Sequence, residues 1–145
     1  MGAWDKNTWY IIPKAVSYLI DLLKGTSIRL VVVGGAGSLY LDKEHTSTVE
    51  LLPTFPDAFK GVSSAHGLAL NTLRTASEGV KWTYISPAAD FQAEGEHKGH
   101  YVLGGEEYTA DENGVSAISY ADYADALVDE IEKGNHISQR ISVRW

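Results

Sequence analysis

Two apolar segments predict buried β-strands, and the first of them ends in a glycine-rich turn. Residues 28–33 read Ile-Arg-Leu-Val-Val-Val and lead directly into the turn Gly-Gly-Ala-Gly-Ser-Leu-Tyr at 34–40. A continuous Val, Ile and Leu run is typical of a strand buried on both faces in a parallel sheet covered by helices. Because ligands of such sheets gather where the strands end, residues 34–40 form the first candidate site.

Apolar positions at helical spacing predict helices on both sides of this strand. The first helix is capped by Asn7 or Thr8 and ends at Lys24-Gly25, with apolar positions at Ile11, Ile12, Ala15, Val16, Leu19, Ile20 and Leu23. A polar loop over residues 42–54 follows the strand. It is followed by a short helical turn over 56–60 and by a longer helix that is capped by Ser63 or Ser64. The second strand covers 80–86 and stops at Pro87, so the order predicts a right-handed βαβ unit.

The last third of the chain predicts a second loop at the candidate site, a hairpin, a helix and a final strand. The polar residues 87–98 follow the second strand, so they share one cleft with 34–40 if the strands are parallel neighbours. Short strands over 100–103 and 107–109 flank Gly104-Gly105 as a hairpin, and 111–114 form a turn. Ser119 and Asp122 resemble a capping box for a helix that ends at Gly134-Asn135. Alternating apolar and polar residues over 137–145 predict a terminal strand.

Composition removes several classes of function. The 145 residues fit one domain over 1–145, and a net charge of −7 with a pI near 5.1 argues against binding to nucleic acids or anionic membranes. The chain has no cysteine, which excludes disulfides and thiolate sites and fits a cytoplasmic location. No segment has the length of a membrane span or the pattern of a signal peptide.

The glycine-rich turn fits neither phosphate-binding motif, GxxxxGK[ST] or GxGxxG. Two interpretations remain open: its small residues let the backbone approach a flat ring, or it is a tight turn without a ligand. Ser38 and Tyr40 follow the turn and could hydrogen-bond a bound ring, and His66 could face the cleft as an acid or base. The spacing of the five histidines predicts no metal site.

Three segments, in order, resemble a known family. Arg-Leu-Val-Val-Val-Gly-Gly-Ala-Gly-Ser-Leu-Tyr at 29–40, Trp-Thr-Tyr-Ile-Ser-Pro-Ala-Ala-Asp-Phe at 82–91 and Ile-Ser-Tyr-Ala-Asp-Tyr-Ala at 118–124 are similar to the NmrA-like atypical short-chain dehydrogenases. More narrowly, they resemble the NADH-flavin reductases related to biliverdin-IXβ/flavin reductases. The resemblance implies an α/β fold with a Rossmann-like three-layer parallel sheet. It also implies NAD or NADP as cofactor and hydride transfer to a flavin-like or quinone-like acceptor.

The resemblance also implies a set of cofactor-binding residues. It assigns the nicotinamide to the glycine-rich turn, and the carboxamide and ribose to the residues after the second strand. These residues are Gly35, Ala36, Gly37, Ser38, Ser86, Pro87, Ala88, Ala89 and Phe91. The YxxxK pair of ordinary short-chain dehydrogenases is not found after Ser38, and Ala88 stands where flavin-reductase relatives tend to carry histidine. No catalytic residue is assigned beyond the candidates Ser38, Tyr40 and His66.

Family members carry an N-terminal βαβ unit with a glycine fingerprint that this sequence lacks. The segment Gly2-Ala3-Trp4 resembles the end of a strand, so we expect the chain to correspond to the C-terminal two thirds of a family member. Such a piece exposes a strand edge, through which we expect homo-oligomers unless the chain is a portion of a longer protein. We expect weak activity or none from this chain alone. The alternative is a non-catalytic redox-sensing or regulatory protein, or an inactive remnant.

Overall fold

The computed structural model describes residues 5–145, so the expectation for Gly2-Ala3-Trp4 lies outside the described residues. In that range the helices are α1 (Ile11–Leu23), α2 (Asp57–Ala76) and α3 (Tyr120–Lys133), with a 3₁₀ turn at Val49–Leu51. The strands are β1 (Arg29–Val33), β2 (Lys81–Pro87), β3 (Asp90–Gln92), β4 (Val102–Gly104), β5 (Ala117–Ser119) and β6 (Gln139–Arg144). None of these helices is both long and apolar enough to cross a bilayer.

The main sheet has the strand order β1-β2-β6-β4. β1, β2 and β6 are parallel, and β4 pairs antiparallel with β6. A separate parallel pair joins β3 to β5. The predicted βαβ unit is therefore confirmed as β1-α2-β2, and β1 lies at an edge of the sheet.

Helices cover both faces of this sheet. On one face, α1 and α2 form a core with β2, in which Ile20, Leu70, Leu73 and Tyr84 are almost completely buried. On the other face, Tyr123 and Ala126 of α3 pack against Ile85, Ile141 and Val143. The structure therefore confirms the α/β class and its three-layer arrangement.

Local signals predicted α3 correctly. The Ser119 hydroxyl accepts a hydrogen bond from the backbone N–H of Asp122 at 3.0 Å, which is the expected cap. At the other end, Gly134 adopts a left-handed conformation with φ of 63° and closes the helix. Both bounds of the helix therefore follow from chemistry that is visible in the sequence.

Three local predictions are wrong. α1 starts after Tyr10, which makes no side-chain cap, because residues 5–10 form a turn of their own. α2 is one continuous helix from Asp57, so Ser63 is not a cap but lies inside the helix, where its hydroxyl donates to Glu50. The hairpin is absent from the described residues, because β4 takes its partner from β6 instead of from 107–109.

Candidate functional site

The candidate site lies where β1 and β2 end side by side. Val33 and Ile85 are register partners, and the next residue, Gly34, donates its N–H to the Ile85 carbonyl at 2.8 Å. The loops 34–40 and 88–98 therefore begin at the same edge of the sheet, as the sequence predicts for parallel neighbours.

Two of the loop glycines are required by packing within the chain. A Cβ atom at position 34 would overlap the Tyr84 ring, and one at position 37 would overlap the Ser63 hydroxyl. Gly35 differs, because a Cβ there would meet His66 side-chain atoms at 3.5–3.6 Å, an ordinary van der Waals distance. Gly34 and Gly37 thus fit the tight-turn interpretation, whereas this packing does not require glycine at position 35.

Tyr84 connects the loop 34–40 to α2 through its hydroxyl group. Its hydroxyl accepts from the Gly35 N–H at 3.1 Å and donates to the His66 carbonyl at 3.3 Å. Burial raises the pKa of Tyr84 to about 12, so the phenol keeps its proton at neutral pH. It therefore acts as a fixed neutral anchor for the loop.

His66 is the titratable side chain that packs beside Gly35. Burial lowers its pKa, so the imidazole is neutral at pH 7. Its buried Nδ1 atom has no hydrogen-bond partner among residues 5–145. The structure thus places this sequence candidate against the loop, and its role as an acid or base stays a prediction.

A buried arginine joins two predicted site residues from different loops. Arg140 Nη1 lies 3.3 Å from Ser38 Oγ and 3.4 Å from Ser86 Oγ, and Nη2 donates to the Ser38 carbonyl at 3.2 Å. Its charge is balanced by Glu106, which accepts from Nε at 2.9 Å and also pairs with Arg74. Burial alone would raise the pKa of Glu106, but the two guanidinium groups hold it below its usual value.

Sequence reasoning missed Arg140 and Glu106. The available signal was an arginine inside a predicted strand, at a position that becomes a register partner of Tyr84 in the centre of the sheet. That partnership depends on β6 pairing with β2, which a single sequence does not reveal. Glu106 gave no signal, because it lies in a loop and reaches Arg140 only through the tertiary fold.

The remaining predicted site residues do not form one surface. Tyr40 stacks on His45, with ring centroids 4.1 Å apart. Ala88 is buried in the core beneath α3, whereas Ala89 is exposed. Phe91 packs against Tyr120 at 4.2 Å between ring centroids. The buried Pro87 is the last residue of β2, so contacts to a cofactor from these positions stay predictions.

A second polar cluster, at the start of α3, is structural. Asp122 is completely buried, and its carboxylate accepts from the N–H groups of Lys98 and Gly99 at 3.0 and 2.7 Å. The Ser119 hydroxyl and the Trp145 indole also donate to it. Burial would raise the pKa of Asp122, but these donors lower it strongly. Although His97 and Asp125 lie nearby, the oxygens of Asp122 are already occupied by donors.

Comparison with known proteins places the chain in a family. No family model matches the sequence, so the assignment rests on individual proteins of similar sequence and structure. A crystal structure of a proposed NADH-flavin reductase from Streptococcus pneumoniae is 46% identical, with a TM-score of 0.95 over 99% of this chain and 68% of that one. A Burkholderia pseudomallei protein of known structure is 36% identical, with a TM-score of 0.84 over 94% of this chain and 65% of that one.

Among curated proteins, YwnB of Bacillus subtilis is 40% identical over 126 residues, which are 86% of this chain and 59% of YwnB. The chain thus spans about three fifths of the length of this curated relative. More distant structures, such as an oxidoreductase from Lactococcus lactis at 18% identity and a TM-score of 0.64, share the fold. On the strength of its likeness to the pneumococcal protein over nearly the whole sequence, this chain belongs to the family of NADH-flavin-reductase-related proteins with the Rossmann-like short-chain dehydrogenase fold.

Proposed function

We propose that this chain carries the nicotinamide-side part of an NAD(P)H-dependent reductase that transfers hydride to a flavin-like or quinone-like acceptor. The likeness to the pneumococcal protein carries this proposal, because it spans 99% of the chain and includes both candidate loops. The placement of these loops at the carboxyl ends of two parallel strands supports it, since dinucleotides bind there in open α/β sheets.

The fit of a nicotinamide to these loops rests on Gly35. This residue is partly exposed, and packing within the chain does not require it to be a glycine. Close approach of a flat ring to the backbone is a separate reason for a glycine at this position. Ala36 and Ser38 are also partly exposed in the same loop. These three residues would hold the ring side of the cofactor, which supplies the hydride when it is bound.

Proton transfer in this proposal uses neither Tyr84 nor His66 as the proton donor. The Tyr84 hydroxyl keeps its proton, and it already accepts one hydrogen bond and donates another within the chain. His66 is neutral at pH 7 because burial lowers its pKa. The acceptor would therefore take its proton from solvent, or carry it already. We expect the rate to vary little between pH 7 and 9 if this is so.

A titration with NADH and NADPH tests the proposal. Trp82 is buried in β2, the strand that leads to the site, so its fluorescence reports binding. The matched pair of variants is Gly35→Ala in the loop and Gly67→Ala on α2, where a Cβ meets no atom within 4 Å. We expect Gly35→Ala to weaken binding about tenfold while Gly67→Ala leaves it unchanged. A methyl group forced into a packed contact typically costs about 1–3 kcal/mol, and about 1.4 kcal/mol corresponds to a tenfold change in affinity.

Two results would count against the reductase. Absence of binding at millimolar concentrations of either cofactor would favour the non-catalytic alternative for this chain. Binding without oxidation of the reduced cofactor, with flavin mononucleotide or a small quinone present, would favour a redox-sensing protein. Oxidation that depends on added acceptor, and that Gly35→Ala slows, would support the reductase.

We also propose that the chain forms a homo-oligomer through the open edge of β1. This edge has no strand partner among the described residues, and Val33 at its end is 47% exposed. Exposed apolar side chains also lie on the helices that cover the two faces of the sheet: Tyr18 and Leu22 on α1, and Val128 and Ile131 on α3. An unpaired strand edge favours pairing with a second copy of the chain.

Two matched lysine substitutions test the oligomer. Val33 and Val102 are both 47% exposed, but Val102 lies on β4 at the opposite edge of the sheet. The molar mass should exceed that of the 15.8 kDa monomer and fall toward it in Val33→Lys but not in Val102→Lys. A monomeric wild type, or equal effects of both substitutions, would disprove the arrangement.

A further inference from the structure

We infer that Arg140 is a positioning residue that makes Ser38 a hydrogen-bond donor toward a carbonyl-type oxygen of the bound ligand. The inference rests on the proposed function, and it extends it to the chemistry that the site recognises. It starts from a simple asymmetry: a guanidinium group has five N–H donors and no acceptor, whereas a hydroxyl has one donor and two acceptor positions.

Arg140 occupies an acceptor position on each of two serine hydroxyls. Its Nη1 atom lies within hydrogen-bonding distance of Ser38 Oγ and Ser86 Oγ. Neither hydroxyl donates a hydrogen bond to another residue in the range 5–145. The Ser38 proton must therefore point away from the guanidinium group. Because Ser38 is partly exposed, this proton is available to a ligand.

The guanidinium group is itself held rigidly. The Arg140 side chain is completely buried, and Glu106 accepts from its Nε at 2.9 Å and from its Nη2 at 2.5 Å. Arg140 Nη2 also donates to the Glu106 carbonyl at 3.0 Å. A buried ion pair with two or more charge-assisted hydrogen bonds fixes its geometry. The donor direction at Ser38 is therefore set before a ligand arrives, which lowers the entropic cost of binding.

The same guanidinium group holds the loop in place. Its bond to the Ser38 carbonyl adds a long-range contact to the loop, in which the Leu39 N–H bonds locally to the Ala36 carbonyl. Ser38 and Arg140 are 102 positions apart in sequence, so β6 fixes the end of a loop that follows β1. A carbonyl oxygen, as in the carboxamide of a nicotinamide or the carbonyl of a flavin or quinone ring, can accept a hydrogen bond from a hydroxyl held in this way.

A double-mutant cycle in cofactor binding tests this inference. Ser38→Ala removes the donor, and Arg140→Lys keeps the positive charge beside Glu106, while one ammonium group is too small to hold both serines and the carboxylate. Each single variant should weaken NADPH or NADH binding about five- to tenfold, as expected for one hydrogen bond. The double variant should bind the cofactor no more weakly than the single variant of lower affinity, because both changes remove the same contact.

The control is Arg144→Met on the same strand, since Arg144 donates to Thr109 and to the Trp145 carbonyl and to neither serine. It should leave the dissociation constant unchanged. Additive effects of Ser38→Ala and Arg140→Lys, or an equal loss in Arg144→Met, would show that Arg140 supports only the fold. Unchanged binding in both Ser38→Ala and Arg140→Lys would also overturn the inference.

Failure of the proposed function remains distinguishable from failure of this inference. If the wild type binds no nicotinamide cofactor, amide hydrogen exchange of residues 36–40 measures how strongly Arg140 stabilises the loop. Faster exchange there in Arg140→Lys than in Arg144→Met, with unchanged exchange in α3, supports the positioning role. Equal exchange in the two variants overturns it.

Discussion

The contact between Gly37 and Ser63 allows the glycine-rich turn to be tested quantitatively. In Gly37→Ala the new methyl group would overlap the Ser63 hydroxyl and would lie 3.0 Å from the Ser63 Cβ. The backbone at position 37 has no positive φ, so the effect is one of space and not of conformation. Forcing a methyl group into such a packed position typically costs about 1–3 kcal/mol.

The second half of the cycle is Ser63→Ala. It removes the hydroxyl that donates to Glu50 Oε2 at 2.5 Å, and the loss of this bond from a partly buried carboxylate costs about 1.5 kcal/mol. In the double variant the nearest atoms to the methyl group at 37 are the Cβ at 63, at 3.0 Å, and the Glu50 Cβ, at 3.4 Å. Small shifts relieve contacts of that size, so the double variant should be more stable than the sum of the single effects by about 1–2 kcal/mol.

Urea unfolding at pH 7, followed by tryptophan fluorescence, measures the free energy of unfolding of all four proteins. Equal m-values across the set would establish that the free energies are comparable. A coupling energy below about 0.5 kcal/mol, which is the usual limit of additivity, would refute the steric explanation for Gly37. Gly67→Ala serves as the control, since a Cβ there meets no atom and alanine favours the helix by about 0.5–1 kcal/mol.

Three further predictions concern ionisable side chains that are buried or partly buried. Asp122→Asn should cost about 2–3 kcal/mol at pH 7, because an amide faces four donors with one acceptor oxygen. The lowered pKa means that wild type loses this advantage as pH falls below about 4, so acid urea titrations of the two proteins should converge. Wild type should lose stability as pH falls below about 6.5, because the folded state disfavours the protonated imidazole of His66. In His66→Gln, which has no imidazole to protonate, this pH-dependent loss should be absent from urea unfolding. Arg29→Met should cost about 2–3 kcal/mol in urea unfolding, because Arg29 pairs with the buried Glu130 and caps the carbonyl of Ile131; a loss below about 0.5 kcal/mol would contradict this.

Apolar patterning was sufficient for the central part of the fold. The runs at 28–33 and 80–86 become β1 and β2, and their parallel pairing follows from the helix between them. The expectation that the first run is buried on both faces is wrong, because β1 lies at the edge of the sheet, where it is only half-buried and Val33 is exposed. The start of α2 was mispredicted for an identifiable reason. Serine is a favoured N-cap residue, so Ser63 and Ser64 resembled the start of a helix, but Ser63 lies inside α2, where its hydroxyl donates to Glu50.

The candidate site was predictable only where it depends on neighbouring residues in sequence. Strand ends located the loop 34–40, just as local capping residues located the start of α3 outside the site. The contacts of Arg140 with Ser38, Ser86 and Glu106 join segments that are 34 to 102 positions apart. No local pattern encodes such contacts, because they follow from which strand β6 pairs with and which loop crosses above it.

The glycines of the turn show why one motif supported two interpretations. Glycine is required wherever a Cβ would collide, but the sequence does not say whether the colliding group belongs to the chain or to a ligand. The structure separates the two cases: Gly34 meets Tyr84 and Gly37 meets Ser63, whereas Gly35 has room for a methyl group beside His66. Substitution at 34 or 37 therefore mixes stability with binding. Gly35→Ala is the substitution in this turn that tests ligand approach alone, since its own contacts do not oppose it.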